Sequence, residues 1–145
     1  MKIVIEIAPM PWHSYRSVRR YGRTFAYVDK KYTQWKKHVY VAVLACLNRH
    51  NKPVPLYKKG VPVRLDVIFF LTKPKYLCKE RYMNARHVKK PDRSNLLKGL
   101  EDALTGVLWY DDSQIYAGSS EKRYTVDKQR IEITIRSGLW EHGKD

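Results

Sequence analysis

The stretch KKPDRSNLLKGLEDALTGVLWYDDSQ, residues 89–114, sets a helical apolar rhythm inside a run of acids and bases. Leu96, Leu97, Leu100, Ala103 and Leu104 recur every three to four residues, the spacing of one helix face. Ser94, Lys98, Glu101, Asp102 and Thr105 fall on the other side, and Gly106 marks a stop. This spacing predicts a helix over about residues 94–105. Asp92 lies just before the helix and Asp111 and Asp112 beyond it. Between them the apolar run VLWY is suited to lie along a sheet, a layout that brings Asp92 and Asp112 together.

Working outward, Arg130 to Arg136 alternates Ile131, Ile133 and Ile135 with polar residues and reads as a closing strand. Gln114–Ala117 and Tyr124–Val126 read as two strands or one bent strand. Upstream, Val63–Thr72 is apolar on both faces over its far half, which predicts a central strand. Lys73–Arg93 has no sustained period and is expected to be a long basic loop. Asp29 is placed to cap a helix over Lys30–Arg49, with Trp35, Val39, Ala42, Val43 and Cys46 on its apolar stripe. Lys2–Ala8 alternates like a strand, and the residues between it and the first helix read as a loop with a short strand or hairpin arm near 24–28. The final GLWEHGKD reads as a tail. The order β, (β), α, β, α, β, β predicts an α+β fold: a single domain with a mixed β-sheet and two main helices.

Composition narrows the partner. Against 14 Asp and Glu stand 29 Lys and Arg, a net charge of +15. An excess of that size attracts polyanions and favours nucleic acid. No apolar run approaches the roughly 20 residues of a membrane span, and a signal-peptide layout is absent. Cys46 and Cys78 make neither a disulfide framework nor a zinc site, so the expected location is cytoplasmic. Arg16, Arg19, Arg20 and Arg23 interleave with Trp12, Tyr15, Tyr21 and Phe25, a pattern suited to gripping phosphates and stacking on bases. The same aromatics would serve equally well to close a core. Arg86, Lys89, Lys90 and Arg93 add a second basic group.

Clustered carboxylates hold a hard cation such as Mg²⁺, which polarises a phosphoryl oxygen and activates water, while a nearby lysine stabilises the added charge. Acids set among bases therefore suit a metal-dependent nuclease. A plainer reading makes Asp92 a helix cap, Asp111–Asp112 a turn and Lys98–Glu101 a surface pair. Asp66, at the start of its strand, is a reserve carboxylate that would otherwise face solvent or pair with an arginine.

The residues PDRSNLLKGLEDAL followed by WYDDSQI resemble the signature of the RusA family of Holliday junction resolvases. The close match covers about 25 residues, with likeness of layout elsewhere. The resemblance implies metal-binding roles for Asp92 and Asp112, a catalytic role for Lys98 and a neighbouring role for Asn95, with Asp111 the lesser member of its pair. It also implies a homodimer that binds branched DNA, cuts two opposed strands of a four-way junction with Mg²⁺ or Mn²⁺, and comes from a phage or prophage setting. Ser94 stands where the family's second aspartate is expected. Glu101, two turns along the same face, is the expected replacement, with Asp102 and Asp66 in reserve. Rival expectations are a branched-DNA binder without catalysis, prompted by Ser94, and a single-strand or RNA binder, prompted by the arginine–aromatic pattern.

Overall fold

The computed structural model describes residues 1–13, 16–27, 29–77 and 86–138. Its elements are β1 (Lys2–Ile5), β2 (Arg16–Arg20), β3 (Arg23–Tyr27), α1 (Lys30–Arg49), β4 (Val63–Thr72), α2 (Arg93–Leu104), β5 (Ile115–Thr125) and β6 (Arg130–Ser137). The main sheet has the order β1-β6-β4-β5, and β2 and β3 form a separate two-stranded sheet. β4 is antiparallel to β6 and parallel to β5, so the sheet is mixed and β4 is interior. The parallel pair requires a crossover connection, and α2 lies on that crossover.

Alternation along the strands sends Ile3, Ile5, Leu65, Val67, Phe69, Ile131, Ile133 and Ile135 into one buried layer beneath the helices. α1 buries Tyr32, Trp35, Val39, Val43 and Leu47 against it, and the Asp29 carboxylate caps this helix by accepting from the Lys31 amide at 2.9 Å. α2 buries Leu96, Gly99, Leu100, Ala103 and Leu104. Val107, Leu108 and Trp109 follow it into the core, so the VLWY run is largely interior packing rather than a strand. The backbone amides of Leu56 and Tyr57 donate to the carbonyls of Val107 and Leu108, which fastens this run to the segment before β4.

Four expectations change. β1 ends at Ile5, three residues early, because Pro9 and Pro11 follow closely and the chain turns to cross α2. The expected loop before residue 24 contains β2, and the arm is a complete hairpin from Arg16 to Tyr27. The stretches Gln114–Ala117 and Tyr124–Val126 lose Gln114, which closes a 3-10 turn, and Val126, and the rest is the single-strand alternative, one continuous β5 whose polar middle pairs with β4 through backbone bonds that need no apolar side chain. Leu47, absent from the expected stripe, is fully buried, while Ala42 and Cys46 are only partly so. The described parts of the 73–93 loop hold no strand or helix before α2 apart from a bridge between Arg86 and Arg123. Cys78, Tyr15 and the tail beyond Gly138 lie outside the described residues. Among the described residues no helix is long and apolar enough to cross a membrane.

Candidate active site and nucleic-acid interface

α2 presents different charges to its two neighbours. Arg93, Leu97 and Glu101, spaced by four, form one wall of a cleft of about 340 Å³ whose other wall is Ile115–Ser120 of β5 with Leu65. Asp102, one residue on and so about 100° around the helix, turns instead to α1. There it accepts from the Tyr32 hydroxyl at 3.2 Å and pairs with Lys36 at 3.2 Å. Burial, with the adjacent Asp102 carboxylate, pushes the Tyr32 hydroxyl well above its usual range. Asp66 is equally committed. Arg64 donates to it twice, at 3.1 and 3.3 Å, and Ser119 Oγ donates at 2.8 Å, which holds its carboxyl below the usual range. Both reserve carboxylates thus serve structural pairs.

Asp111 and Asp112 separate in the same way. The Asp111 carboxylate accepts from the Ser113 amide at 2.9 Å and is held below its ordinary range chiefly by that serine. Asp112 is exposed at the head of a single 3-10 turn, residues 112–114. Gln114 fixes this turn from beneath. Its Oε1 accepts from the amides of Tyr110 and Asp111 at 2.9 and 3.0 Å, and its Nε2 donates to the carbonyls of Lys58 and Val61 at 2.8 and 3.0 Å. From the sequence Gln114 reads as the start of a strand and not as a support for the acids. A glutamine two residues after a pair of acids, able to donate and accept at once, was the available signal.

Glu101 is half-buried on the cleft wall. Burial raises its carboxyl from the ordinary range, and the negative charge of Asp112 raises it further. These two carboxylates therefore act on one another. Asp92 occupies the cap position of α2 in an extended conformation, yet its side chain makes no cap hydrogen bond. The plainer reading of Asp92 as a working helix cap fails on that point. Nine residues of helix rise separate Asp92 from Glu101, about 13 Å. Among the described residues no three of His, Cys, Asp and Glu come close enough to hold one ion. Ser94 is exposed in the first turn of α2.

Lys98 has a defined place. Its Nζ sits 3.7 Å from the centre of the Trp12 ring, a cation–π geometry. Trp12 is held by its own backbone, whose amide donates to the Asn95 carbonyl at 2.9 Å. The segment before it crosses α2 so closely that a Cβ on Gly99 would come within 3.0 Å of Trp12 N and 3.1 Å of Met10 O. Trp35 anchors the start of this crossing by donating from Nε1 to the Ala8 carbonyl at 2.8 Å. Trp12 was grouped with the arginine–aromatic loop in the sequence, and tertiary packing assigns it to the lysine.

The basic residues before α2 lie along β5. Lys122 Nζ donates to the carbonyls of Lys89 and Pro91 at 2.7 and 2.9 Å, and Arg93 Nη1 donates to the Ser120 carbonyl at 3.1 Å. Asp92 is thus flanked on both sides by ties to one strand. Lys122 carried no sequence signal because its partners are backbone atoms some thirty positions away. Lys89 lies over the Tyr76 ring at 4.9 Å, and Arg86, Lys89 and Lys90 are all exposed. Arg19, Arg20 and Arg23 project from the separate hairpin, and of Arg16 only the backbone is described.

The family model described as endodeoxyribonuclease RusA matches residues 6–136. The chain belongs to this family. It is similar to a crossover junction endodeoxyribonuclease rusA of Lactococcus phage r1t, at 34% identity over 85 residues. That match covers 59% of this chain and 62% of the phage protein, so the chain spans under two thirds of that relative. A second similarity, 30% over 104 residues, is to YqaN of Bacillus subtilis and covers 67% of this chain and 69% of that protein. As a RusA family member the chain carries the family's α+β fold on a mixed sheet and two helices.

Proposed function

We propose that residues 1–145 form one nuclease domain, a metal-dependent, structure-selective endodeoxyribonuclease that resolves four-way DNA junctions by paired symmetric incisions. The observation that carries this reading is which acids the fold leaves without an ion pair. Asp66 and Asp102 are ion-paired and Asp111 caps its turn, whereas Asp92, Glu101 and Asp112 have no ion-pair partner among the described residues. They stand around α2 with Lys98, in a chain of the RusA family. The phage relative's name supports junction DNA as the substrate.

The donor chemistry suits Mg²⁺ or Mn²⁺. Small hard cations take oxygen ligands, commonly one or two carboxylates completed by water and substrate phosphate. Asp112 is the shared member of the proposed set: Glu101 feels its charge, and Asp92 is the other uncommitted carboxylate of the region. A bound divalent ion supplies an activated water and polarises the phosphoryl group. Lys98, positioned on Trp12, places a positive charge to stabilise the negative charge that develops on the phosphate or the leaving oxygen. Arg86, Lys89, Lys90, Arg93 and the arm residues Arg16, Arg19, Arg20 and Arg23 bring the phosphate backbone to the acids, which would otherwise repel it.

The proposed assembly is a homodimer, since two symmetric sites match a two-fold branched substrate and give two related incisions. The proposed setting is the bacterial cytoplasm, in phage- or prophage-linked recombination and repair. The test is cleavage of a labelled four-way junction with and without Mg²⁺, beside Asp92→Asn, Glu101→Gln and Asp112→Asn. Paired Mg²⁺-dependent nicks lost in Asp112→Asn support the nuclease. The more damaging of the other two changes identifies the partner of Asp112. A second reading, a junction binder without catalysis, rests on Ser94 and on the lack of a three-carboxylate group among the described residues. Tight junction binding with no cut in any divalent metal would establish it.

A further inference from the structure

The hairpin β2–β3 is built in a way that the free chain does not account for. Every residue of β3 is exposed, and the arm forms its own two-stranded sheet. An isolated hairpin is marginal in water unless something covers one face. Here Val18 and Phe25 are directly paired across the strands, and with Arg20, Tyr21 and Tyr27 they line an open apolar hollow of about 540 Å³. Arg20 and Arg23 are also directly opposite, a like-charge pair that destabilises a hairpin. Residues 7–28 contain no Asp or Glu, and among the described residues no acid pairs with Arg19, Arg20 or Arg23.

The tip is the most unusual part. Tyr21 and Gly22 form the turn with φ of 52° and 72°. Tight turns with two positive φ values favour Asn, Asp or Gly at the first position, because a larger side chain is strained there. This chain has a tyrosine instead, and its side chain is 100% exposed. The ring contributes nothing to the packing of the free chain and sits in a backbone conformation that disfavours it. Strain of this kind is kept where a partner uses the residue.

We propose that the arm is a branch-point reader, in which Tyr21 stacks on unstacked nucleobases at the centre of branched DNA while Arg19, Arg20 and Arg23 hold the converging phosphates. One occupant relieves all three features. A polyanion separates the opposed arginines, and an unstacked base gives the tyrosine ring and the apolar hollow an aromatic face to cover. Paired duplex does not offer such bases. A second copy of this chain would have to set acids against an acid-free arm, and the charge balance of +15 argues against that occupant.

This inference rests on the reading of branched DNA as substrate, and binding without cleavage tests the two separately. The full chain is titrated in EDTA against a four-way junction carrying 2-aminopurine at the branch point, and against linear duplex of the same sequence. Tyr21→Asn suits the turn and removes the aromatic ring, so a loss of function in it is not a folding defect. Tyr21→Phe keeps the ring. We expect the wild type and Tyr21→Phe to quench the probe and to prefer the junction. Tyr21→Asn should bind the junction about tenfold more weakly and lose the quench, with duplex affinity changed less than twofold. Equal junction affinity and equal quench in Tyr21→Asn would overturn the proposal. So would a shift from dimer to monomer in sedimentation with the quench intact, which would assign the arm to a partner subunit. A wild type with no junction preference over duplex would instead sink the substrate reading, whatever Tyr21 does.

Discussion

The turn that carries Asp112 and the arm that carries Arg19, Arg20 and Arg23 are two opposite ways of presenting a charge. Around the first, Leu104, Val107, Leu108 and Trp109 are fully buried, and Gln114 makes four hydrogen bonds to backbone groups. Around the second, two strands pair only with each other and every residue of β3 is exposed. Metal-assisted chemistry needs oxygens held within a fraction of an ångström, so its carboxylates belong on packed elements. Phosphate capture works through charge over about 8 Å at physiological salt and tolerates a loosely held arm. On the proposed function, the contrast separates chemistry from capture.

The largest expected effect breaks the rigid side. Asp112→Asn should lower junction cleavage by a thousandfold or more while leaving binding within about threefold, and Asp111→Asn should cost at most about tenfold. A gel cleavage assay with a parallel binding titration checks both, and a greater loss in Asp111→Asn would reverse the roles of the pair. Lys98→Ala should lower kcat by about a hundredfold. Trp12→Leu should lower it by about tenfold, with Trp12→Phe restoring most of the loss. In the Lys98→Ala background the Trp12 change should have almost no further effect on kcat, because the indole acts through the ammonium.

Stability sharpens the comparison next. Gln114→Ala leaves the Tyr110 and Asp111 amides and the Val61 carbonyl without partners and should cost about 3 kcal/mol, lowering Tm by roughly 10 °C. Replacing Arg19, Arg20 and Arg23 together with alanine should move Tm by less than about 1 °C and instead flatten the salt dependence of DNA binding, by about 3 in the log–log slope. Calorimetry and salt titrations on both variants would show whether the two regions are separable. A large Tm loss in the arm variant would mean that the hairpin supports the core.

The smallest effect has the most telling sign. The folded-state pKa of Glu101 lies above its unfolded value, so the folded chain holds that proton more tightly. Stability therefore falls as pH rises from the unfolded pKa through the raised one, and the full penalty is present above the raised one. Glu101→Gln should raise Tm by about 2 °C at pH 7 without metal, while reducing Mg²⁺-dependent cleavage. At a pH below the unfolded pKa the Tm difference should vanish. A loss of stability at pH 7 would mean that Glu101 is held by a favourable partner.

Periodicity made both helices and the β4 and β6 strands legible, because each has an apolar face at helical or strand spacing over most of its length. β2 was hidden because its arginines and serine carry no alternation, and the middle of β5 because Gly118, Ser119 and Ser120 pair through backbone alone. At the candidate site, the acids and Lys98 were legible from residue type and spacing. Their division was not. Nothing in the local pattern tells Asp102, taken by Tyr32 and Lys36, from Glu101, left facing the cleft. The same is true of Trp12 beneath Lys98 and of Lys122 bonded to the loop before Asp92.

By itself, the sequence determined a charge that favours a polyanionic partner and the family likeness through the spacing of Asp92, Lys98 and Asp112. Both are properties of residue types in order along the chain. Only the tertiary structure decided which carboxylates are committed, where the lysine is held, and that the basic arm stands apart. Those depend on which neighbour a side chain meets, and one residue on a helix, about 100° of turn, changes that neighbour.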